Sequence, residues 1–333
     1  MRRILTAASS VNYPISLILK GVSSTVTTKE VLASMLSIDS KRIRRFDRYS
    51  DRVEASIKGN YTLPNSFANN TSLTDLLDIG GNISTIQQNA LQGCTSLVNV
   101  KFDNAYLSNS ALTGLSNLKN LDYSGVVKVR QIFNSAMRDT GFKKVIIDSG
   151  AILDNSLRNM PNLEEVYLPG LATVNTDGFN GSAKLSILNT SDITNVANRA
   201  FVGTAFVNLD FPKLVTVGDV SPFTAISTLK TIKFGSLVNI ASSESFFTNC
   251  PLLEYIDMKK VKTYGTYNNT AGASVRFYGF NNVKLGCIID CNIALATANT
   301  TNNTAHEALK WVKANRQAVV KFYDDNGNYV STL

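Results

Sequence analysis

Histidine is almost missing from this sequence: His306 is the only one in 333 residues. A histidine triad or a multi-histidine metal site would have to run through it. It opens a segment that reads as a C-terminal helix, where a partly exposed surface residue is the ordinary reading. Cysteine is scarce as well. Of the four, Cys287 and Cys291 are not spaced as Cys-x-x-Cys, and no second pair completes a zinc site. Charged residues make up 17% of the chain, against about 25% in an average globular domain, while 44% is hydrophobic. Such a balance excludes disorder over most of the length. No run approaches the roughly 20 apolar residues of a membrane-spanning helix, and no glycine-rich phosphate loop is present. These absences point to a non-enzymatic chain without metal or cofactor.

The charge that is present is unevenly placed. Residues 1–60 carry 11 Lys and Arg against 5 Asp and Glu, whereas residues 61–270 carry 16 of each. The basic excess is concentrated in Lys41, Arg42, Arg44, Arg45, Arg48 and Arg52. Such asymmetry suggests that this end docks on something acidic, although Asp47 and Asp51 also fit a solvated, partly neutralised face. Phe46 and Tyr49 lie within the run and could stack on bases. Nucleic-acid binding is thus a lesser alternative, with affinity that falls steeply with salt. Met1-Arg2-Arg3 imitates the start of a secretory signal, but the apolar stretch Ile4–Ala8 is too short for one.

The middle of the chain repeats. A Leu-x-x-Val-x-Leu pattern, followed by further apolar positions, is clearest in Leu163, Val166, Leu168, Leu171, Val174 and Phe179. Copies start at Leu73, Leu97, Leu118, Phe142, Leu163, Leu185, Phe206, Leu229 and Leu253, at spacings of 21 to 24 residues. Burial of six apolar side chains cannot offset the entropy of ordering some 22 residues, so one copy does not fold alone and the copies must stack. The alternation within each Leu-x-x-Val-x-Leu segment is that of a strand in a parallel sheet. Pro169 and Pro212 sit just past the strand, where a missing N–H matters little.

These residues resemble BspA-type leucine-rich repeats, in which a Leu-x-x-Val-x-Leu-Pro segment is followed by an Ala-Phe pair and then Cys or Asn. Leu163–Phe179, Ala200-Phe201 and Phe247-Thr248-Asn249-Cys250 carry the resemblance, which spans about residues 60–265. It implies a non-enzymatic surface or secreted binding protein that takes ligands on its sheet side or loops. The copies at Leu97, Leu118 and Phe142 depart most from the pattern.

A solenoid needs covered ends. Ile15, Leu17 and Leu19 read as a strand, and Thr27-x-x-Glu30 as a capping box before a short helix with Val31, Leu32, Met35 and Leu36. At the far end a polar loop at Asn299–Thr304 precedes a helix over Ala305–Ala314. Val319–Tyr323 and Tyr329–Thr332 flank Asp325-Asn326-Gly327-Asn328, a hairpin signal. The expected architecture is therefore a leucine-rich-repeat solenoid, a parallel β-sheet with short loop or helical returns. It occupies residues 59–275, between small α+β caps at 1–58 and 276–333.

Within that frame the cysteines and apparent motifs lose their chemistry. Cys94 and Cys250 fall at equivalent places seven repeats apart, on the order of 30 Å at about 4.8 Å per strand, too far for a disulfide. Each suits a small buried slot. Ser116-x-x-Lys119 and Ser227-x-x-Lys230 occupy one repeat position, so repeat consensus explains them. Asp324-x-Asn326-x-Asn328 starts like a calcium loop, but Tyr329 stands where glycine is needed. Sequons such as those at Asn180 and Asn189 are common in an Asn/Thr-rich chain.

The surface that the repeat does specify is the outward row of strand positions. Its candidate ligand-binding residues are Asn99, Lys101, Asn120, Asp122, Lys144, Glu165, Tyr167, Asn189, Asp210, Lys233, Tyr255 and Asp257. Tyr167 and Tyr255 are the expected anchors, since tyrosine is enriched in binding hot spots. The other reading is a plain solvated sheet face. The leading functional expectation is a virion component, such as a phage tail or fibre protein. It would bind a host surface or neighbouring virion subunits as part of an assembly, with the basic N-terminal module docking on the particle. The alternative is a cell-surface or secreted adhesin that binds a host protein or glycan.

Overall fold

The computed structural model describes residues 13–103, 105–118, 126–240, 246–264, 278–280, 282–296 and 303–333. Residues 1–12, Asn120, Asp122 and most of the polar stretch before the C-terminal helix lie outside them.

The repeat winds into a parallel β-solenoid of about eight turns. All nine repeat starts, from Leu73 to Leu253, are buried, none more than 3% exposed. In the clearest copy Leu163, Val166, Leu168, Leu171, Val174 and Phe179 are buried as well. One row of strands takes the Leu-x-x-Val-x-Leu segments, including Lys144–Ile147, Glu165–Tyr167, Asn208–Phe211, Thr231–Phe234 and Tyr255–Met258. Their pairing is parallel and in repeat register: Val145 lies beside Val166, and Leu209 beside Ile232 beside Ile256. The alternation therefore puts one set inside and the other outside on every turn.

The returns are short and consist largely of turns and loop, as expected. Most returns also carry a second strand: Thr173–Val174, Asn195–Val196 and Thr216–Val217 pair in parallel, as do Asn239–Ile240 and Thr263–Tyr264, while Ile152 forms only an isolated bridge to Val174. After it the chain makes an arc opened and closed by left-handed residues four apart, such as Asn155 and Asn159, Asp177 and Gly181, and Arg199 and Gly203. This conformation aims alternate N–H groups at the next turn. Asn155, Leu157 and Asn159 donate to the carbonyls of Thr176, Gly178 and Asn180, at 3.0, 3.0 and 2.8 Å. Asp177, Phe179 and Gly181 repeat the pattern onto Asn198, Ala200 and Val202, at 3.0, 2.9 and 2.9 Å. The arcs thus form a third ladder, which satisfies backbone groups that a loop would leave to water.

Asp177 adds a side-chain tie between turns. Its carboxylate takes both Nε and Nη2 of Arg199 at 2.9 Å and the Asn180 amide at 2.6 Å, with Arg158 3.8 Å away. The Arg199 hydrogen bonds hold the Asp177 carboxyl below its ordinary range against the opposing effect of burial. A depressed carboxylate stabilises the fold above its unfolded pKa, and this contribution fades as pH falls through the folded value. Asp177→Asn keeps the left-handed preference while removing the charge. It is expected to cost about 1 kcal/mol at neutral pH, a figure reduced because Arg199 is half-exposed. Urea unfolding of both proteins should show the gap closing below about pH 4; a pH-independent gap would refute an ionic role.

Both caps extend the main sheet rather than pack against its ends. Strand β1 (Leu17–Lys20) pairs antiparallel with strand β3 (Arg52–Ile57) on one side and with Asp75–Asp78 of the first turn on the other. Strand β2 (Ile43–Arg48) pairs with β3 and forms the outer edge. Helix α1 (Lys29–Leu36) buries Leu32, Ala33 and Leu36. Its N-cap is Thr28, whose hydroxyl accepts from the Val31 N–H, so the Thr27-x-x-Glu30 box is displaced by one residue. At the other end Ile288–Asn292 continues the parallel ladder from Tyr255–Met258 and Val319–Tyr323 follows it, with Tyr329–Thr332 closing antiparallel. Helix α2 (Asn303–Arg316) buries Ala308, Leu309 and Val312. Among the described residues no helix is long and apolar enough to cross a membrane.

Candidate functional site

The outward row divides into a self-neutralised half and an open half. Near the N-terminal end the Asn99 amide donates to Asp75 at 2.9 Å, and Lys101 lies 3.8 Å from Asp103. Lys144 pairs with Glu165 on the adjacent strand at 2.7 Å. Asn99 with Asp75 and Lys144 with Glu165 pair in register across the ladder, whereas Lys101 and Asp103 meet along one segment. Asn189 is turned to a local task, its side chain accepting from the Ser191 N–H at 3.0 Å.

Tyr167 stands apart. It is 56% exposed, and Ile187, one strand on and diagonal to it, is 57% exposed. The two form an exposed apolar step, continued by Ile146 in register with Tyr167. Tyr255, the other expected anchor, is not free: its hydroxyl donates to Asp290 at 2.8 Å. Burial, reinforced by that carboxylate, pushes the Tyr255 phenol up from its ordinary pKa.

Beyond Tyr167 the C-terminal turns bring Asp210, Lys233 and Asp257 side by side in register, followed by Asp290 and Lys321 of the cap. Lys259 spans Asp257 at 3.2 Å and the buried Asp290 at 3.8 Å, and lies 5.0 Å from the centre of the Tyr323 ring. The hairpin tip folds over this end. Its calcium-like spacing serves its own turn, because Asp324 accepts from the N–H groups of Asn326 and Asn328 and from the Asn328 amide. Asp290 and Tyr323 were not among the sequence candidates because the repeat pattern stops before the cap, and Lys259 was not because it follows the end of its strand. The alternation of outward Ile288 and Asp290 with buried Ile289 and Cys291 was the available signal.

The basic N-terminal residues are largely occupied. Arg42 donates to the carbonyls of Lys58, Gly59 and Asn60 at 3.0, 3.1 and 2.6 Å, fastening the start of β2 to the segment that leaves β3. Arg45 binds Asp47 at 2.5 Å and Arg52 binds Glu54 at 2.6 Å. The guanidinium groups of Arg44 and Arg52 lie over Tyr13 and Tyr49. Arg44, Arg45 and Arg48 all stand on β2, where charge on an outer strand opposes pairing with another sheet. Lys41 and Arg48 make no ion pair among the described residues.

All four cysteines are free and buried. The Cys94 thiol donates to Phe67 O at 3.1 Å and that of Cys250 to Phe223 O at 3.3 Å, each 27 residues back, so the two fill equivalent slots. Burial pushes the Cys250 and Cys287 thiols up to about 12, which keeps them unreactive thiols. His306 is half-buried in the first turns of α2, and no group of three metal-ligating side chains occurs among the described residues.

Parallel strands stacked turn on turn, with one patterned outer row and capped ends, define a solenoid repeat protein. The chain belongs to the BspA-type leucine-rich repeat family, whose model matches it in six copies across residues 61–156 and 150–271. Among solved structures it is similar to a leucine-rich repeat protein from Bacteroides ovatus. The two share 15% identity at a TM-score of 0.43, over 77% of this chain and 79% of that one. No curated protein matches it.

Proposed function

We propose that this chain is a non-enzymatic binding protein that takes a macromolecular ligand on the outward face of its main sheet. The observation that carries this reading is the exposed pair Tyr167 and Ile187, set on neighbouring strands and flanked by Lys144, Glu165 and Asn189 at a spacing the ladder keeps rigid. A rigid aromatic anchor with a polar surround is what binding hot spots are made of. Family membership supports a cell-surface or secreted adhesin that binds a host protein or glycan. It lends nothing to the virion-appendage reading, for which the fold offers no observation either. The pairing of Arg42, Arg45 and Arg52 speaks against a nucleic-acid groove at the N-terminal end.

Binding of the full chain to a printed array of extracellular proteins and glycans tests the reading. Tyr167→Ala is expected to weaken the strongest array interaction about ten-fold or more, with an unchanged thermal unfolding curve. Array binding that survives both Tyr167→Ala and Ile187→Ser, or its complete absence, would overturn it.

A further inference from the structure

Where the sheet face meets the C-terminal hairpin there is a cleft of about 350 Å³, within the size range of small-ligand sites. Its floor is the outward run Asp210, Lys233 and Asp257, and the hairpin tip at Asp324 and Gly327 forms one wall. With Lys259 and Lys260, the lining holds three lysines and three aspartates, so it has no net charge. That balance disfavours a polyanion, a polycation or a metal ion.

Most of these charges are already committed. Lys259 serves Asp257 and Asp290, the Lys260 ammonium donates to Asp325 O at 3.2 Å, and Asp324 caps its own turn. Asp210 and Lys233 differ from the rest. They face each other in register on adjacent strands, yet neither side chain has an ion pair or hydrogen bond among the described residues. The cleft thus offers an acceptor-only carboxylate and a donor-only ammonium, carried at in-register positions of strands about 4.8 Å apart. Two adjacent hydroxyls match that arrangement, because each can donate to the carboxylate and accept from the ammonium. Pro212 and the side-chain-free Gly235 and Gly327 add a low apolar surface, suited to the C–H face of a ring.

We propose that this cleft binds a neutral sugar through a vicinal diol, with Asp210 accepting and Lys233 donating. The inference rests on the reading of this face as a binding surface, and narrows one part of it to a carbohydrate class. Occupancy of the floor and the hairpin wall together makes the C-terminal cap part of the site, not merely an end cover.

Saturation-transfer NMR on the full chain, with the methyl glycosides of glucose, galactose and mannose as probes and methyl glucuronide as the charged comparison, tests it. At least one is expected to give a saturable signal. Its affinity should fall about ten-fold or more in Asp210→Ala and in Lys233→Ala, as for loss of a charged hydrogen bond. Both side chains are exposed, so these variants should keep the wild-type circular dichroism spectrum. Lys184→Ala, exposed and outside the cleft, should leave sugar binding unchanged. The inference is overturned by no saturable signal from any probe, by binding that persists in both variants, or by a preference for methyl glucuronide. Failure here with Tyr167-dependent array binding intact would remove the sugar site alone, and the converse would remove the wider reading.

Discussion

Phe223→Ala is expected to destabilise the protein by about 4 kcal/mol, the middle of the range for an aromatic truncated in a closed core. Phe223 is fully buried at the centre of an aromatic column. Its ring centroid lies 5.8 Å from those of Phe201 and Phe234, and 5.5 Å from those of Phe211 and Phe246. The cavity left by alanine cannot close by local collapse. The turns on either side are held by strand pairing of Asn208–Phe211 with Thr231–Phe234, and by the arc in which Phe201 N–H donates to Pro222 O at 3.1 Å. Position along the chain adds a second consequence. Each turn of a solenoid touches only its neighbours, so weakening one interface in the C-terminal half uncouples the turns beyond it. Urea denaturation followed by circular dichroism should show an earlier midpoint and a shallower or split transition. A loss under about 1 kcal/mol with one unchanged slope would mean that the column is not an energetic spine.

The same residues show what the sequence makes legible. Leu163, Val166 and Leu168 repeat at fixed spacing because each must be inside, and burial of hydrophobic groups is the strongest periodic constraint on a chain. Outward positions follow by alternation, which is why Asp210, Lys233 and Asp257 could be named together. The second strand row escapes notice because Thr173–Val174 and the equivalents that follow it are two residues long, too short for a period to register. The left-handed arcs are filled by Asn, Asp, Ser, Arg and Gly in different turns, so no single residue type marks them. Charge is legible in composition, but its partners are not: the run from Lys41 to Arg52 looks like a free basic patch until Arg42 is seen binding three carbonyls. The cleft is least legible. It needs Asp210 and Lys233 from the repeat and the 324–327 tip from the cap, more than 90 residues on, brought together by a sheet that runs past the end of the repeat.

The N-terminal cap gives the second large effect, with a different physical origin. Gly21 closes β1 at φ +68°, and a methyl group added there would lie 2.0 Å from the Ser72 carbonyl oxygen and 3.0 Å from Thr74 N. The left-handed backbone alone disfavours alanine by about 1–2 kcal/mol. The contact is worse, because the obstacle is backbone that cannot rotate aside: Thr74 N–H donates to Lys20 O at 3.0 Å, and Lys20 is in register with Asp75. Gly21→Ala must therefore lift the end of β1 off the first turn, loosening the cover over Leu17, Leu19, Leu32 and Leu36. A total cost of about 3–4 kcal/mol is expected, confined to this end. Hydrogen exchange resolves the location. Amides of Leu19 and Leu76 should lose protection while Ile232, many turns away, keeps its own, since the stability of stacked turns is passed only between neighbours. Uniform loss along the chain would show that the N-terminal sheet extension holds the whole solenoid in one cooperative unit. Unchanged protection at Leu19 would show that the first turn can yield where its hydrogen bonds say it cannot.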